Sequence, residues 1–96
     1  MMVLVTYDVD YNDVSSAKRL RKIAKICENF GVRVQKSVFE MLVEPEQFIT
    51  LRNRLLKEMD SKKDSIRFYM LGKNWERKVE HYGVVATYEQ GGTIML

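Results

Sequence analysis

The chain has 96 residues, 46 % hydrophobic and 30 % charged, with 16 basic against 13 acidic side chains and a formal charge of +3. A domain of this size buries about 60–65 % of its unfolded surface, so it folds alone and leaves faces that a partner subunit can cover. The composition excludes a disordered chain, the single cysteine excludes an internal disulfide, and no apolar run is long enough to cross a membrane as a helix. The N-terminus reaches Asp8 before a signal-type apolar stretch can develop, so a cytoplasmic protein is expected.

Val3-Leu4-Val5-Thr6-Tyr7-Asp8 is rich in β-branched and aromatic residues and too short for an ordinary helix, which predicts a strand buried on both faces. It ends on a carboxylate held at the rim of the sheet, and Asp8 is the first candidate for chemistry. Asp10, Asn12 and Asp13 follow and extend a run of hard oxygen donors of the kind that Mg²⁺ or Mn²⁺ takes. The spacing imitates the start of an EF-hand loop, but Asp13 stands where that loop needs glycine and Arg19 where it needs glutamate, so that reading is rejected. Asp10 and Asp13 are read as loop and cap residues.

Asp13, Ser15 and Ser16 are candidate N-caps for a helix running to about Phe30, with Gly31 as its stop. Leu20, Ile23, Ala24, Cys27 and Phe30 recur at helical spacing as the buried stripe, which makes Cys27 a core residue rather than a reactive one. Lys18, Arg19, Arg21, Lys22 and Lys25 fall within eight positions, with Glu28 the only acid in the helix. Most such runs are solvated faces; this one, nearly unopposed, also predicts phosphate contact with strong salt dependence and little sequence preference.

Arg33 to Val43 alternates polar with β-branched and aromatic residues and is extended. Eleven residues exceed the usual strand length, and a tight turn or bulge near Lys36-Ser37 would make a hairpin, although neither residue is a strong turn former. Glu44-Pro45-Glu46 opens a second helix that ends near Asp60, with Phe48, Leu51, Leu55 and Met59 buried. After a solvated turn, Ser65 to Leu71 is a strand with Ile66, Phe68 and Met70 on one face and Arg67, Tyr69 and Leu71 on the other. Gly72 to Gly83 is a polar connection holding Trp75, a structural His81 and a short extended piece at Val79–Tyr82. Thr93-Ile94-Met95-Leu96 is apolar for a chain end and reads as a strand that docks elsewhere.

With the hairpin, the order is strand, helix, two strands, helix, strand. This is an α+β, ferredoxin-like βαββαβ sandwich with both helices on one face of an antiparallel sheet and an additional C-terminal strand. The first strand is apolar on both sides, so the uncovered face is expected to pack on a second copy of the chain. The chain offers no catalytic triad, Gly-rich phosphate loop or zinc spacing, and one rim carboxylate is a poor metal site. A two-fold dimer brings Asp8 twice to its axis, where the two copies can share one metal ion that activates water and polarises a phosphodiester.

The V-T-Y-D-V strand, the basic K-R-L-R-K helix, the segment R-V-Q-K-S-V-F-E, and D-S-I-R-F-Y-M-L-G-K followed by V-E-H-Y-G together resemble the CRISPR-associated Cas-two family of small nucleases, in particular its subtype I-C branch. The resemblance covers nearly the whole chain, and the Q-x-S-V-F-E block behind a Y-D strand is its most specific part. It implies a single ferredoxin-like domain over residues 1–96, a homodimer whose segment 79–96 packs on the partner subunit with T-I-M-L as the exchanged strand, and Mg²⁺- or Mn²⁺-dependent cleavage of RNA or double-stranded DNA. It also implies membership of the spacer-acquisition complex beside the CRISPR integrase. Asp8 falls on the family's catalytic, metal-binding aspartate; Tyr7, Ser37 and Phe39 fall on supporting motif positions. Ser37 either orients the scissile phosphate or a water, or is a turn residue; Phe39 is packing rather than a stacking platform. Three functions stand: a nuclease with a shared Asp8 site, a non-catalytic DNA-binding adaptor between integrase subunits, and a small RNA-cleaving toxin on the same fold.

Overall fold

The protein was analysed as a computed structural model that describes residues 1–83 and the backbone of two short strands at 85–86 and 93–94. Its elements are β1 (Met2–Asp8), α1 (Ser16–Glu28), β2 (Val32–Gln35), β3 (Val38–Leu42), α2 (Pro45–Glu58), β4 (Ser65–Gly72), α3 (Trp75–Lys78), β5 (Val85–Ala86) and β6 (Thr93–Ile94). The first four strands form one sheet in the order β2-β3-β1-β4, with every neighbouring pair antiparallel. This is the ferredoxin-like split βαβ arrangement expected from the order of elements.

Strand alternation decides which side of the sheet is the core. Val3, Val5 and Tyr7 of β1 register with Met41 and Phe39 of β3 and with Met70, Phe68 and Ile66 of β4. Val3, Val5, Tyr7, Phe39 and Met41 are fully buried beneath Leu20, Ile23, Ala24 and Cys27 of α1 and Phe48, Leu51 and Leu55 of α2. The rings of Phe48 and Phe68 meet edge to face at 5.4 Å and tie α2 to β4. On the opposite face Leu4 and Thr6 are half-buried, and Leu42 and Tyr69 are exposed. Both helices lie on the same side, so among the described residues no helix covers the other face of β1.

The hairpin turns at Lys36-Ser37 as read from the sequence, and a bulge between Arg33 and Gln35 sets its register. Arg33 Nε donates to the Lys36 carbonyl at 2.8 Å, which closes the turn without a glycine. α2 opens on Pro45, and the Glu44 N–H donates to Gln47 Oε1 at 2.8 Å, half of a capping box. α1 differs from expectation at both ends. Ser15 is its N-cap but makes no side-chain cap, because its hydroxyl donates to the Asp13 carboxylate at 2.7 Å instead. The helix ends at Glu28, and Gly31 serves another purpose: a Cβ there would lie 2.2 Å from the Glu40 carbonyl oxygen and 2.5 Å from Met41 Cβ, so glycine lets β2 approach β3.

Leu71 is the extra residue of a bulge opposite Met2–Val3, which ends the clean alternation of β4. Residues 79–82 form no strand, and they run beside the open sheet face, where Val79, Glu80 and His81 line a groove with Leu4, Val38 and Glu40. His81 is exposed there, with its Nε2 3.2 Å from the Gly83 carbonyl oxygen. The C-terminal part holds two short strands, β5 and β6, paired with each other as a separate ladder. Met95 and Leu96, the end of the T-I-M-L segment, lie outside the described residues. No described helix is long and apolar enough to cross a membrane.

Candidate functional site

β1 ends beside the start of β4 and the β2–β3 turn. Asp8 registers with Ser65, and the Tyr7 N–H donates to the Ser37 carbonyl at 2.9 Å. Asp8, Ser37 and Asp64-Ser65 thus share one rim of the sheet. Alternation sends the Tyr7 side chain to the helix side and Asp8 to the open side.

On the helix side the polar groups are fully committed. Tyr7 Oη donates to Asp64 Oδ2, and Arg19 grips the same carboxylate with two bonds, Nε to Oδ2 at 2.8 Å and Nη2 to Oδ1 at 2.9 Å. The Asp60 N–H donates to Asp64 at 3.0 Å, and the Asp64 side chain is wholly removed from solvent. Arg19 Nη1 donates to Asp13 Oδ2 at 2.6 Å, and Lys63 Nζ reaches Asp13 Oδ1 at 3.3 Å. Burial pushes the Tyr7 phenol well above its ordinary range, and the adjacent Asp64 carboxylate adds to it. Burial pushes Asp64 up as well, but the bonds from Arg19, Tyr7 and the Asp60 N–H outweigh it and hold the carboxyl below the usual range. Bonds from Arg19 and Ser15 hold Asp13 low, and the two carboxylates, Asp64 foremost, make Arg19 harder still to deprotonate.

This network revises two readings. Arg19 is not a phosphate contact, since its guanidinium is spent on two carboxylates and its side chain is 13 % exposed. The run from Asp8 to Asp13 is not a ligand cluster either: Asp10 turns back to accept the Asn12 N–H at 3.0 Å, and Asp13 belongs to Arg19. Asp8 is exposed and outside the network, with no ion-pair or hydrogen-bond partner for its side chain among the described residues. Ser37 is half-buried at the same rim, and Phe39 is fully buried core. Burial, with Glu28 adding to it, pushes the Cys27 thiol up to about 12, which leaves it inert at neutral pH.

The Asp8 carboxylate has the right donor chemistry for Mg²⁺ or Mn²⁺, and no side chain among the described residues bonds to it. No group of three or more His, Cys, Asp or Glu side chains converges among the described residues. A hard cation at Asp8 fits, provided that water, a substrate phosphate or a second copy completes the shell, the way Mg²⁺ is commonly held.

The remaining basic residues of α1 divide between two surfaces. Lys22 and Lys25 line a groove of about 290 Å³ between α1 and α2, where Arg54 joins them from α2 beside Glu58. Arg21 faces the other way, toward the β2–β3 turn, and Lys18 is exposed. Arg54 was not legible as a partner from the sequence, because only the packing of the helices brings it to Lys22 and Lys25.

The molecule is thus a ferredoxin-like domain with one bare carboxylate at the end of its first strand and a basic groove between its helices, and comparison with known proteins gives its family. The family model of CRISPR-associated protein Cas2 matches residues 1–79, and the chain belongs to that family. It is 53 % identical over all 96 residues to the CRISPR-associated endoribonuclease Cas2 of Chlorobaculum tepidum, covering the whole of both chains. It is 51 % identical over 83 residues to the CRISPR-associated endonuclease Cas2 of Halalkalibacterium halodurans, covering 86 % of each. The crystal structure of Streptococcus pyogenes Cas2 at pH 6.5 superposes with a TM-score of 0.78 at 55 % identity, covering 86 % of this chain and all of that one.

Proposed function

We propose that the chain is a metal-dependent endonuclease of the CRISPR spacer-acquisition machinery, hydrolysing phosphodiester bonds in double-stranded DNA or RNA as a homodimer, in the cytoplasm and beside the CRISPR integrase. The observation that carries this reading is the isolation of Asp8, an exposed carboxylate at a rigid strand end while its neighbours Asp10 and Asp13 are engaged. A bare carboxylate repels phosphate, so it is of use to a nucleic-acid protein mainly with a cation between them. The names of the relatives, endoribonuclease in one case and endonuclease in another, support the reaction class.

The open sheet face, with Leu42 and Tyr69 exposed beside half-buried Leu4, supports a second copy as its cover. Such a dimer presents two Asp8 side chains at related rims. Asp8 holds the cation, Mg²⁺ or Mn²⁺, and the rigid rim fixes its position. The bound cation supplies Lewis acidity toward a phosphodiester and toward water. Ser37, in the turn at the same rim, would orient the phosphate or a water, while Lys22, Lys25 and Arg54 hold the backbone of the nucleic acid.

The basic groove of Lys22, Lys25 and Arg54 supports a second reading, a non-catalytic DNA-binding adaptor that bridges integrase subunits. Cleavage of matched double-stranded DNA and single-stranded RNA by purified wild type and Asp8→Ala, in Mg²⁺, Mn²⁺ and EDTA, separates the two. The nuclease reading expects metal-dependent cleavage reduced at least about a hundredfold in the variant, the scale on which loss of one strong electrostatic stabiliser is felt. Equal cleavage by both proteins removes Asp8 from the chemistry; no cleavage by either, with DNA and integrase binding intact, makes the chain the adaptor.

A further inference from the structure

A second cavity of about 290 Å³ lies on the helix side of the same rim, between the loop after β1, the first turn of α1 and the β2–β3 turn. Its floor is apolar, built from Val9, Ala17 and Leu20, and Arg21, Arg33 and Lys36 surround it with no acidic side chain in the lining. Tyr11 forms one wall although it is 67 % exposed, in the loop between β1 and α1. The Lys36 ammonium lies 5.9 Å from the centre of the Tyr11 ring, so an aromatic face and a cation are held together. Arg33 is fixed beneath them, its guanidinium carbon 5.7 Å from the buried Phe39 ring and its Nε on the Lys36 carbonyl. Arg21 is exposed, with no ion-pair partner among the described residues.

We propose that this cavity binds one unpaired nucleotide of a nucleic-acid strand, with the base on Tyr11 and the apolar floor and its phosphate against Arg21 and Lys36. An apolar slot with an aromatic wall and a cationic rim matches the two halves of a nucleotide, a flat π-face and an anion. Its volume is at the small end for ligand sites and suits one nucleotide rather than a base pair, whose faces are already stacked on its neighbours. Val9 and Asp8 are consecutive in the chain and project to opposite sides, so the cavity and the carboxylate flank one rim over which a single strand can pass. The inference shares with the proposed function a nucleic-acid ligand, and does not depend on cleavage.

The test is binding in EDTA, where metal-dependent cleavage does not intervene. The probes are a fluorescent single-stranded thymidine oligonucleotide, a fully abasic strand with the same number of phosphates, a blunt duplex, and thymidine monophosphate as competitor. Wild type is expected to bind the strand with bases about tenfold more tightly than the abasic strand, within the range for stacking of one base on an aromatic side chain. Tyr11→Ala loses that difference and leaves the duplex within twofold, Tyr11→Phe keeps it, and Lys36→Gln weakens both single strands alike. A difference that survives in Tyr11→Ala overturns the proposal, as does failure of wild type to distinguish the strands. Displacement by thymidine monophosphate at concentrations equal to those of the oligonucleotide overturns the strand in favour of a free nucleotide. Loss of cleavage with this binding pattern intact counts against the nuclease reading alone.

Discussion

Asp8 and Asp64 lie at the same end of the sheet, one ending β1 and the other just before the neighbouring antiparallel strand β4, yet one is bare and the other has every oxygen engaged. The difference follows from one residue of alternation. On the helix side, the first turn of α1 brings Arg19 down onto Asp64 and β1 brings Tyr7 up to it, so the carboxylate can be taken from water at low cost. On the open side no element of the described chain reaches Asp8. The satisfied carboxylate ties α1 to the rim, and the unsatisfied one stays exposed.

Parallel substitution is the strongest way to break that comparison. Asp8→Asn is expected to leave the unfolding free energy in urea within about 0.5 kcal/mol of wild type, as for an exposed surface residue, while cleavage falls as for Asp8→Ala. Asp64→Asn should cost on the order of 2–3 kcal/mol, because it weakens charge-assisted bonds worth about 1.5–3 kcal/mol each while the partly exposed Arg19 recovers some hydration. Chemical denaturation of both variants reads this directly. A stable Asp64→Asn protein would show that the network is ornamental, and an unstable Asp8→Asn protein that Asp8 is structural.

The pH dependence of stability sharpens the same contrast. Asp64 and Asp13 titrate below the usual carboxyl range in the folded protein, Asp64 because its hydrogen bonds outweigh burial. Their contribution is complete above the unfolded carboxyl value, about 4, and is lost as pH falls through the lower folded value. Tyr7 is shifted upward by burial and by Asp64. Its contribution is complete below the unfolded phenol value, about 10, and is lost as pH rises toward the higher folded one. Thermal melts should therefore show an acid limb and an alkaline limb. Asp64→Asn should flatten the acid limb and reduce the alkaline limb only in part, because burial of the Tyr7 phenol remains. Asp8→Asn should leave both in place.

Much of the fold was legible because period-2 and period-3.6 patterns report which faces are buried. Val3, Val5 and Tyr7, and Leu20, Ile23, Ala24 and Cys27, are core as those patterns require. The hairpin was ambiguous because Lys36-Ser37 carries no turn chemistry of its own; an arginine three residues back closes it. Gly31 looked like a helix stop, and its close approach to β3 is a tertiary fact with no local signal. The Arg19–Asp64 pair joins residues 45 apart and was hidden inside a basic run. Arg19 lies three residues after Ser16 and four before Ile23, both buried, so helical spacing already placed it at the border of the stripe. That spacing is the signal that sets it apart from Lys22 and Lys25. Asp8 was legible as a strand-end acid, but its isolation could be seen only once Asp10 and Asp13 had found their partners.

The two classes of basic residue on α1 give the smallest effect and the finest test. Lys22 is exposed and lines the groove with Arg54, whereas Arg19 is spent on carboxylates. If the groove holds nucleic-acid backbone, each lost phosphate contact lowers the slope of log affinity against log salt by about 0.9 on duplex DNA. Lys22→Gln with Arg54→Gln should then lower the slope by about 1.8 without changing the thermal melt. Arg19→Gln should do the reverse, lowering the melt while a folded fraction keeps the wild-type slope. An unchanged slope in the Lys22/Arg54 variant would move the backbone contact off the helix groove, leaving the rim around Arg21 and Lys36 as the surface to examine. A slope lowered by Arg19→Gln at constant stability would mean that Arg19 leaves Asp64 to meet phosphate, and the division between structural and functional charge at this rim would fail.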